Sequence, residues 1–250
     1  MKKFLVLLAI LSLGLMAWAD EKEDDIDRLD ASTKVLNEIM TTPDKGIPNE
    51  VLDGAKCIAV VPHLIKGGFV FGAKHGRGVA TCRTSDGKWS APSFFTVTGG
   101  SWGAQIGVEG VDLVMMIMND KGMQQLLNSK FQIGGDASAA AGPVGRHASA
   151  GTDWKLNTEI LTYSRARGAF AGISLEGAAI TQDSNAIEAM YGKALTPRAI
   201  LTGTVPPPTA AQQFLATVRD AKTMAAKIQA GRHCPPALLE IANSAAAAVA

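Results

Sequence analysis

Gly99-Gly100-Ser101-Trp102-Gly103 fits the G-x-S-x-G pattern, in which a serine nucleophile stands on a strained turn between a strand and a helix. Such a serine attacks a carbonyl only when an imidazole takes its proton and a carboxylate orients that imidazole. His147 with Asp136 or Asp153 are residues of the right types. Immediately after Gly103 the chain reads AQIGVEGVDLVMMIM, with Gly107 and Gly110 where the helix should run, so the context this chemistry requires is missing. GGFVFGAK at 67–74 has the glycines of a phosphate loop but no adjacent Gly-Lys-Ser/Thr, so it reads as a glycine-flanked strand. His63, His75, His147 and His233 show no metal-ligand spacing. Paired acids such as Asp24-Asp25 belong to a solvated run. These residues predict a protein without catalytic machinery, cofactor or metal, with a serine hydrolase at Ser101 as a remote alternative.

The residues that suit a partner are basic. Between 54 and 90 the chain carries Lys56, Lys66, Lys74, Arg77, Arg83 and Lys88 against Asp86 alone. Strands and turns there could bring Lys66, Lys74, Arg77 and Lys88 to one edge facing an anionic surface, with Lys56 a further candidate lipid-binding residue. Each cation near an anionic bilayer is worth ~1 kcal/mol, so four give ~4 kcal/mol, about millimolar binding. Firm attachment would also need apolar insertion. The candidate is an amphipathic helix over 26–40, where Ile26, Leu29, Leu36 and Met40 recur on one face. The acids before it count against insertion.

Composition sets the frame. The chain has 250 residues, 24 basic and 23 acidic, a balance that gives no footprint for nucleic acid. Lys2 and Lys3, the apolar run Phe4 to Met16 and Ala17-Trp18-Ala19 read as a secretory signal cleaved near Ala19, which places the mature chain in the periplasm or cell envelope. Cys57, Cys82 and Cys234 form no zinc or disulfide framework. Cys57 and Cys82 stay open between two buried thiols and one disulfide.

The expected organisation is a signal peptide over 1–19, an acidic segment and helix over 20–46, a main domain over 47–205, and a Pro-rich spacer, helix and Ala-rich tail over 206–250. Helix 26–40 stops ahead of Pro43, and Pro48 opens a short second helix. From Cys57 the period changes. CIAVV, GGFVFG, GVATCRT, APSFFTVTGG and DLVMMIM read as strands with short connections, an antiparallel meander. Ser85-Asp86-Gly87-Lys88 is a hairpin turn, Asn119-Asp120 caps a short helix, and AFAGISLEG is a further strand. Phe214, Val218, Ala221, Ala225 and Ile228 trace one face of a final helix over about 209–230. The small residues from Ala137 to Gly142 let backbones approach closely. The fold class is α+β: a Gly-rich antiparallel β-sheet core, sandwich or partial barrel, flanked by N- and C-terminal helices.

Several blocks in order, CIAVVP at 57–62, GGFVFGAKHGRG at 67–78, WSAPSFF at 89–95, GGSWGAQIG at 99–107, DLVMMIMND at 112–120, GGDASAAAGPVGR at 134–146 and EILTYSRARGAFAGISLEG at 159–177, resemble the SYLF domain, a lipid-binding and actin-associated family. The resemblance implies an α+β fold without an enzymatic site, and lipid binding by an N-terminal amphipathic segment with basic residues. In an exported protein it implies anionic phospholipid, or an envelope protein, as partner in place of actin and phosphoinositide.

Overall fold

The structure, a computed structural model, describes residues 2–42, 46–68, 71–102, 107–144, 158–166, 169–170 and 174–231. Helix α1 (Lys2–Thr41) is longer than the 26–40 stripe predicts. It ends where Thr41 and Thr42 hydroxyls donate back to the carbonyls of Asn37 and Glu38, just ahead of Pro43. The acidic run is part of this helix, and Asp25 in it is fully buried, contrary to the solvated reading. Helix α2 (Asn49–Gly54) follows Pro48.

Strands β1 (Cys57–Gly68), β2 (Phe71–Cys82), β3 (Ser93–Trp102) and β4 (Gly107–Ile117) come next. Helix α3 (Asp120–Leu126) starts where Asn119 Oδ1 accepts from the Gly122 amide, the expected cap. Strands β5 (Lys130–Gln132), β6 (Ala139–Ala141), β7 (Ile160–Ala166), β8 (Ala169–Phe170) and β9 (Ala179–Gln182) complete one sheet. Its order is β5-β9-β3-β2-β1-β4-β7-β6, with β8 beside β7. This is more than a meander: β4 returns to the far side of β1, and β6 runs parallel to β7. AFAGISLEG is not one strand: among its described residues Ala169–Phe170 is extended and Glu176-Gly177 form a turn. Helices α4 (Ser184–Tyr191), α5 (Pro197–Leu201) and α6 (Gln212–Gly231) close the order.

Alternation along the strands divides the core. Ile58, Val60, Val79, Phe94, Val114, Leu161 and Tyr163 face α1, α4 and α6. Ala59, Val61, Ala80, Val97, Leu113 and Met115 face the other way, onto Leu126, Phe131, Leu175 and Leu201. Cys57 and Cys82 are register partners on that second face and are joined as a disulfide. Gly142 answers the expected close approach, because a Cβ there would collide with the Tyr163 ring. The expected Asp-Gly hairpin forms, but not as a type I′ turn: Gly87 takes φ 79° while Asp86 does not take a positive φ, and the Gly87 amide donates to the Thr84 carbonyl at 2.9 Å, giving a three-residue loop Ser85-Asp86-Gly87 with glycine in the left-handed position. The observed architecture is the expected α+β sheet between terminal helices.

Candidate functional site

Ser101 lies within β3, its Cα in register with Gly72 of β2, and the next element is strand β4. A nucleophile elbow needs a helix there, and among the described residues a strand follows instead. Asp136 is occupied locally, accepting from the Gln132 amide at 2.7 Å. His147 and Asp153 lie outside the described residues. Gly67 and Lys74 of the phosphate-loop look-alike sit on the adjacent strands β1 and β2. Among the described residues no group of His, Cys, Asp or Glu could hold a metal ion.

The four basic residues expected on one edge, and the further candidate Lys56, are dispersed. A strand rises about 3.3 Å per residue, so Lys56 and Lys66 stand roughly 30 Å apart along β1. Lys56 lies 3.4 Å from Asp120, and Lys88 pairs with Asp86 at 2.9 Å in the hairpin turn. Lys66 and Lys74 are register partners at the other end of the β1–β2 pair. Lys66 lies 3.6 Å from Glu109. Lys74 is buried and donates from Nζ to the Ser174 carbonyl at 2.7 Å. Burial pushes its ammonium below the usual lysine range, and Lys66 adds to the effect. Arg77, an odd number of residues from Lys74, points to the opposite face.

There Arg77 joins a cluster that sequence reasoning missed. Asp25 Oδ1 lies 2.7 Å from Arg28 and 3.2 Å from Arg77, and Asp183 Oδ2 lies 3.1 and 3.3 Å from the same two guanidiniums. Arg28 also sits over the Phe94 ring, 5.3 Å from its centroid. Asp183 Oδ1 accepts from the Ala186 amide and so caps α4. Burial pushes the Asp25 carboxyl up to about 6, although Arg28 and Arg77 pull the other way. The cluster ties α1 to β2 and α4. The i,i+3 spacing of Asp25 and Arg28 was visible in the sequence, while Asp183 comes from 155 residues further on than Arg28.

The helix face expected to insert into a membrane is occupied by the protein itself. Leu29, Leu36 and Met40 are each no more than 1% exposed, and Ile26 packs at the edge of the same core. They form the apolar stripe of this part of α1, and the sheet together with α4 and α6 is the apolar surface it meets. Among the described residues no helix is long and apolar enough to cross a membrane.

A different cationic site is assembled by α2, the β2–β3 turn and α6. A cleft of about 560 Å³ lies between them, floored by Leu52, Ile58, Trp89, Leu215 and Val218. Its rim carries Arg83, Lys88, Arg219 and Lys222. Arg83 stacks on Trp89 at 4.5 Å and donates to the carbonyls of Ala55 and Leu52, so it is a fixed wall. Lys88 and Lys222 are exposed beside Asp86 and Asp53. Arg219 is exposed and has no ion pair among the described residues. Of the expected basic residues only Lys88 belongs here. The expected hairpin turn Ser85–Lys88 would have placed Arg83 opposite Ser90, one residue from its observed partner Trp89, and nothing in the sequence brings α6 to that turn.

Residues 98–221 match a family described as Ysc84: Las17-binding protein actin regulator. The chain is 36% identical over 173 residues to the SH3 domain-containing YSC84-like protein 1 of Rattus norvegicus, covering 69% of this chain and 51% of that protein. It is 36% identical over 175 residues to Protein YSC84 of Saccharomyces cerevisiae, covering 69% of this chain and 37% of the relative. LAS seventeen-binding protein 3 of the same yeast is 35% identical over 170 residues, 67% of this chain and 37% of the relative. The chain therefore spans about half or less of the length of these curated relatives.

Proposed function

The chain carries a domain of the Ysc84, or SYLF, family, and on that premise we propose that it is a non-enzymatic module that binds anionic phospholipid at the cleft between α2, the β2–β3 turn and α6. The observation that carries this reading is an apolar floor rimmed by cations from two separate elements, the β2–β3 connection and α6, with Asp53 of α2 beside them. Its volume lies in the range of ligand pockets, ~300–1,000 Å³. Lys88 and Lys222 are offset by Asp86 and Asp53, so the rim presents about one net positive charge, worth ~1 kcal/mol at an anionic surface. Burying roughly 150 Å² of acyl surface on the floor adds ~4 kcal/mol. The sum, ~5 kcal/mol, corresponds to a few tenths of a millimolar. The amphipathic face of α1 has no part in this, being already covered. Export with cleavage near Ala19 belongs to the same reading and would present the cleft to the lipids of the periplasm or cell envelope.

A second reading is a protein-interaction module of the envelope. It is favoured by the names of the relatives, which are given as Las17-binding proteins and an actin regulator.

Vesicle co-sedimentation of the full chain decides between them. Binding to phosphatidylglycerol-containing vesicles should be weakened by salt and reduced at least tenfold by Lys88→Glu with Arg219→Glu, both exposed positions. Partition of the apolar N-terminal run would be equal for zwitterionic vesicles and would ignore both changes. Equal, salt-indifferent sedimentation with either lipid, unaltered in the double variant, would leave the protein-interaction reading in possession of the site.

A further inference from the structure

Strand β6 ends the sheet, and its outer edge is unpaired among the described residues. The direction of its main-chain groups is set by two hydrogen bonds: the Ile160 amide donates to the Ser138 carbonyl at 3.0 Å, and the Gly142 amide donates to the Thr162 carbonyl at 2.9 Å. Even-numbered residues thus point their N–H and C=O toward β7. Successive residues of a strand alternate, so the N–H and C=O of Ala139 and Ala141 point away from it. Unpaired strand edges recruit other strands. This edge faces a cavity of about 330 Å³, bounded across from it by Ser174, Leu175 and Glu176.

One end of the slot is shut. Ile133, just after β5, bridges Ala137, just before β6, and the Gly134 amide donates to the Ala137 carbonyl at 2.8 Å. The slot thus runs along β6 from this closure toward Ala141. Alanine side chains leave the edge sterically accessible. Among the described residues of the lining, Glu176 is the one that carries a charge, which favours a cation on whatever enters.

We propose that the β6 edge is a strand-addition site for a short extended segment of a partner protein, with a basic residue set against Glu176. The segment would exchange main-chain hydrogen bonds with Ala139 and Ala141 and lie between β6 and Ser174–Glu176. A second copy of this chain fits less well. Each β6 is three residues long, and the wall at 174–176 would stand between two β6 edges brought together. The site lies apart from the cationic cleft and does not depend on lipid binding.

The test is selection of a phage-displayed random heptapeptide library on the full chain, followed by anisotropy titration of the enriched peptides. Enriched peptides should carry Lys or Arg. Their affinity should fall at least tenfold when alternate peptide amides on one edge are N-methylated. Ala141→Pro removes an outward N–H without touching the β7 ladder and should weaken binding by a similar factor. Ala139→Pro serves the same purpose if the first variant misfolds. Glu176→Lys should select against the basic residue. Lys88→Glu with Arg219→Glu should leave peptide binding intact, whatever it does to vesicles. The proposal is overturned by an unenriched library, or by peptides indifferent to N-methylation and to both prolines. A dimer in solution that Ala141→Pro converts to monomer would overturn it in favour of self-association.

Discussion

Arg77 and Lys74 stand three residues apart on β2 and have opposite surroundings. Arg77 faces α1 and meets two carboxylates, Asp25 and Asp183, beside a second guanidinium. Lys74 faces the other side, opposite Lys66, with a carbonyl as its hydrogen-bond partner. One cation belongs to a balanced network joining three elements; the other is a single charge held by burial and one hydrogen bond. Charge counted along a strand therefore says little about charge on a surface, because parity sends neighbours to opposite faces and packing decides which of them are neutralised.

The largest expected effect is on the Arg77 side. Arg28→Ala leaves two buried carboxylates to share Arg77 and should destabilise the fold by about 3–5 kcal/mol in chemical denaturation. Arg77→Ala should cost only about 1 kcal/mol, because its side chain is 38% exposed and water screens the loss. Equal losses for the two variants would break the distinction between an interior and a rim member of the cluster.

The same cluster sets a pH response. Asp25 is raised from 3.8 to about 6, so its contribution to stability is complete below pH ~4 and is lost as pH rises through about 6. Glu159 is the counter-case. Burial raises it, but donation from Lys121 at 2.7 Å and from Ser138 prevails and holds it at about 2 against an ordinary 4.5. Its contribution is complete above pH ~4.5 and is lost as pH falls through about 2. Denaturation midpoints across pH should lose the upper slope in Asp25→Asn and the acid limb in Glu159→Gln. A wild-type profile flat between pH 4 and 6.5 would mean that the guanidiniums cancel the burial of Asp25.

The smallest effect should come from the other side of β2. Lys74→Met keeps the volume and removes an uncompensated buried cation, so stability should stay within about 1 kcal/mol of wild type or rise. A loss as large as that of Arg28→Ala would show that the Ser174 contact holds the 174–176 segment in place.

Much of the scaffold was legible. The period-two runs, the Asp-Gly turn, the Asn119 cap and the stop before Pro43 are local signals, each read from a few adjacent residues, and each has its counterpart in the fold. The stripe of Leu29, Leu36 and Met40 was also correctly seen as one apolar face of a helix. Which apolar surface it meets is not a local property, and the sheet with α4 and α6 supplied one before any membrane could. The cleft was not legible, since Arg83 and Trp89 come from a hairpin and Arg219 and Lys222 from a helix more than a hundred residues later.

Patterns within one element, and with them the α+β class and the blocks shared with the Ysc84 family, were already present in the order of residues. Strand order, the disulfide between Cys57 and Cys82, the burial of Asp25 and the gathering of cations around Trp89 were decided only by the tertiary structure. The physical reason is range: caps, turns and periodicity act over a few residues, whereas burial and ion pairing depend on which distant surfaces come together.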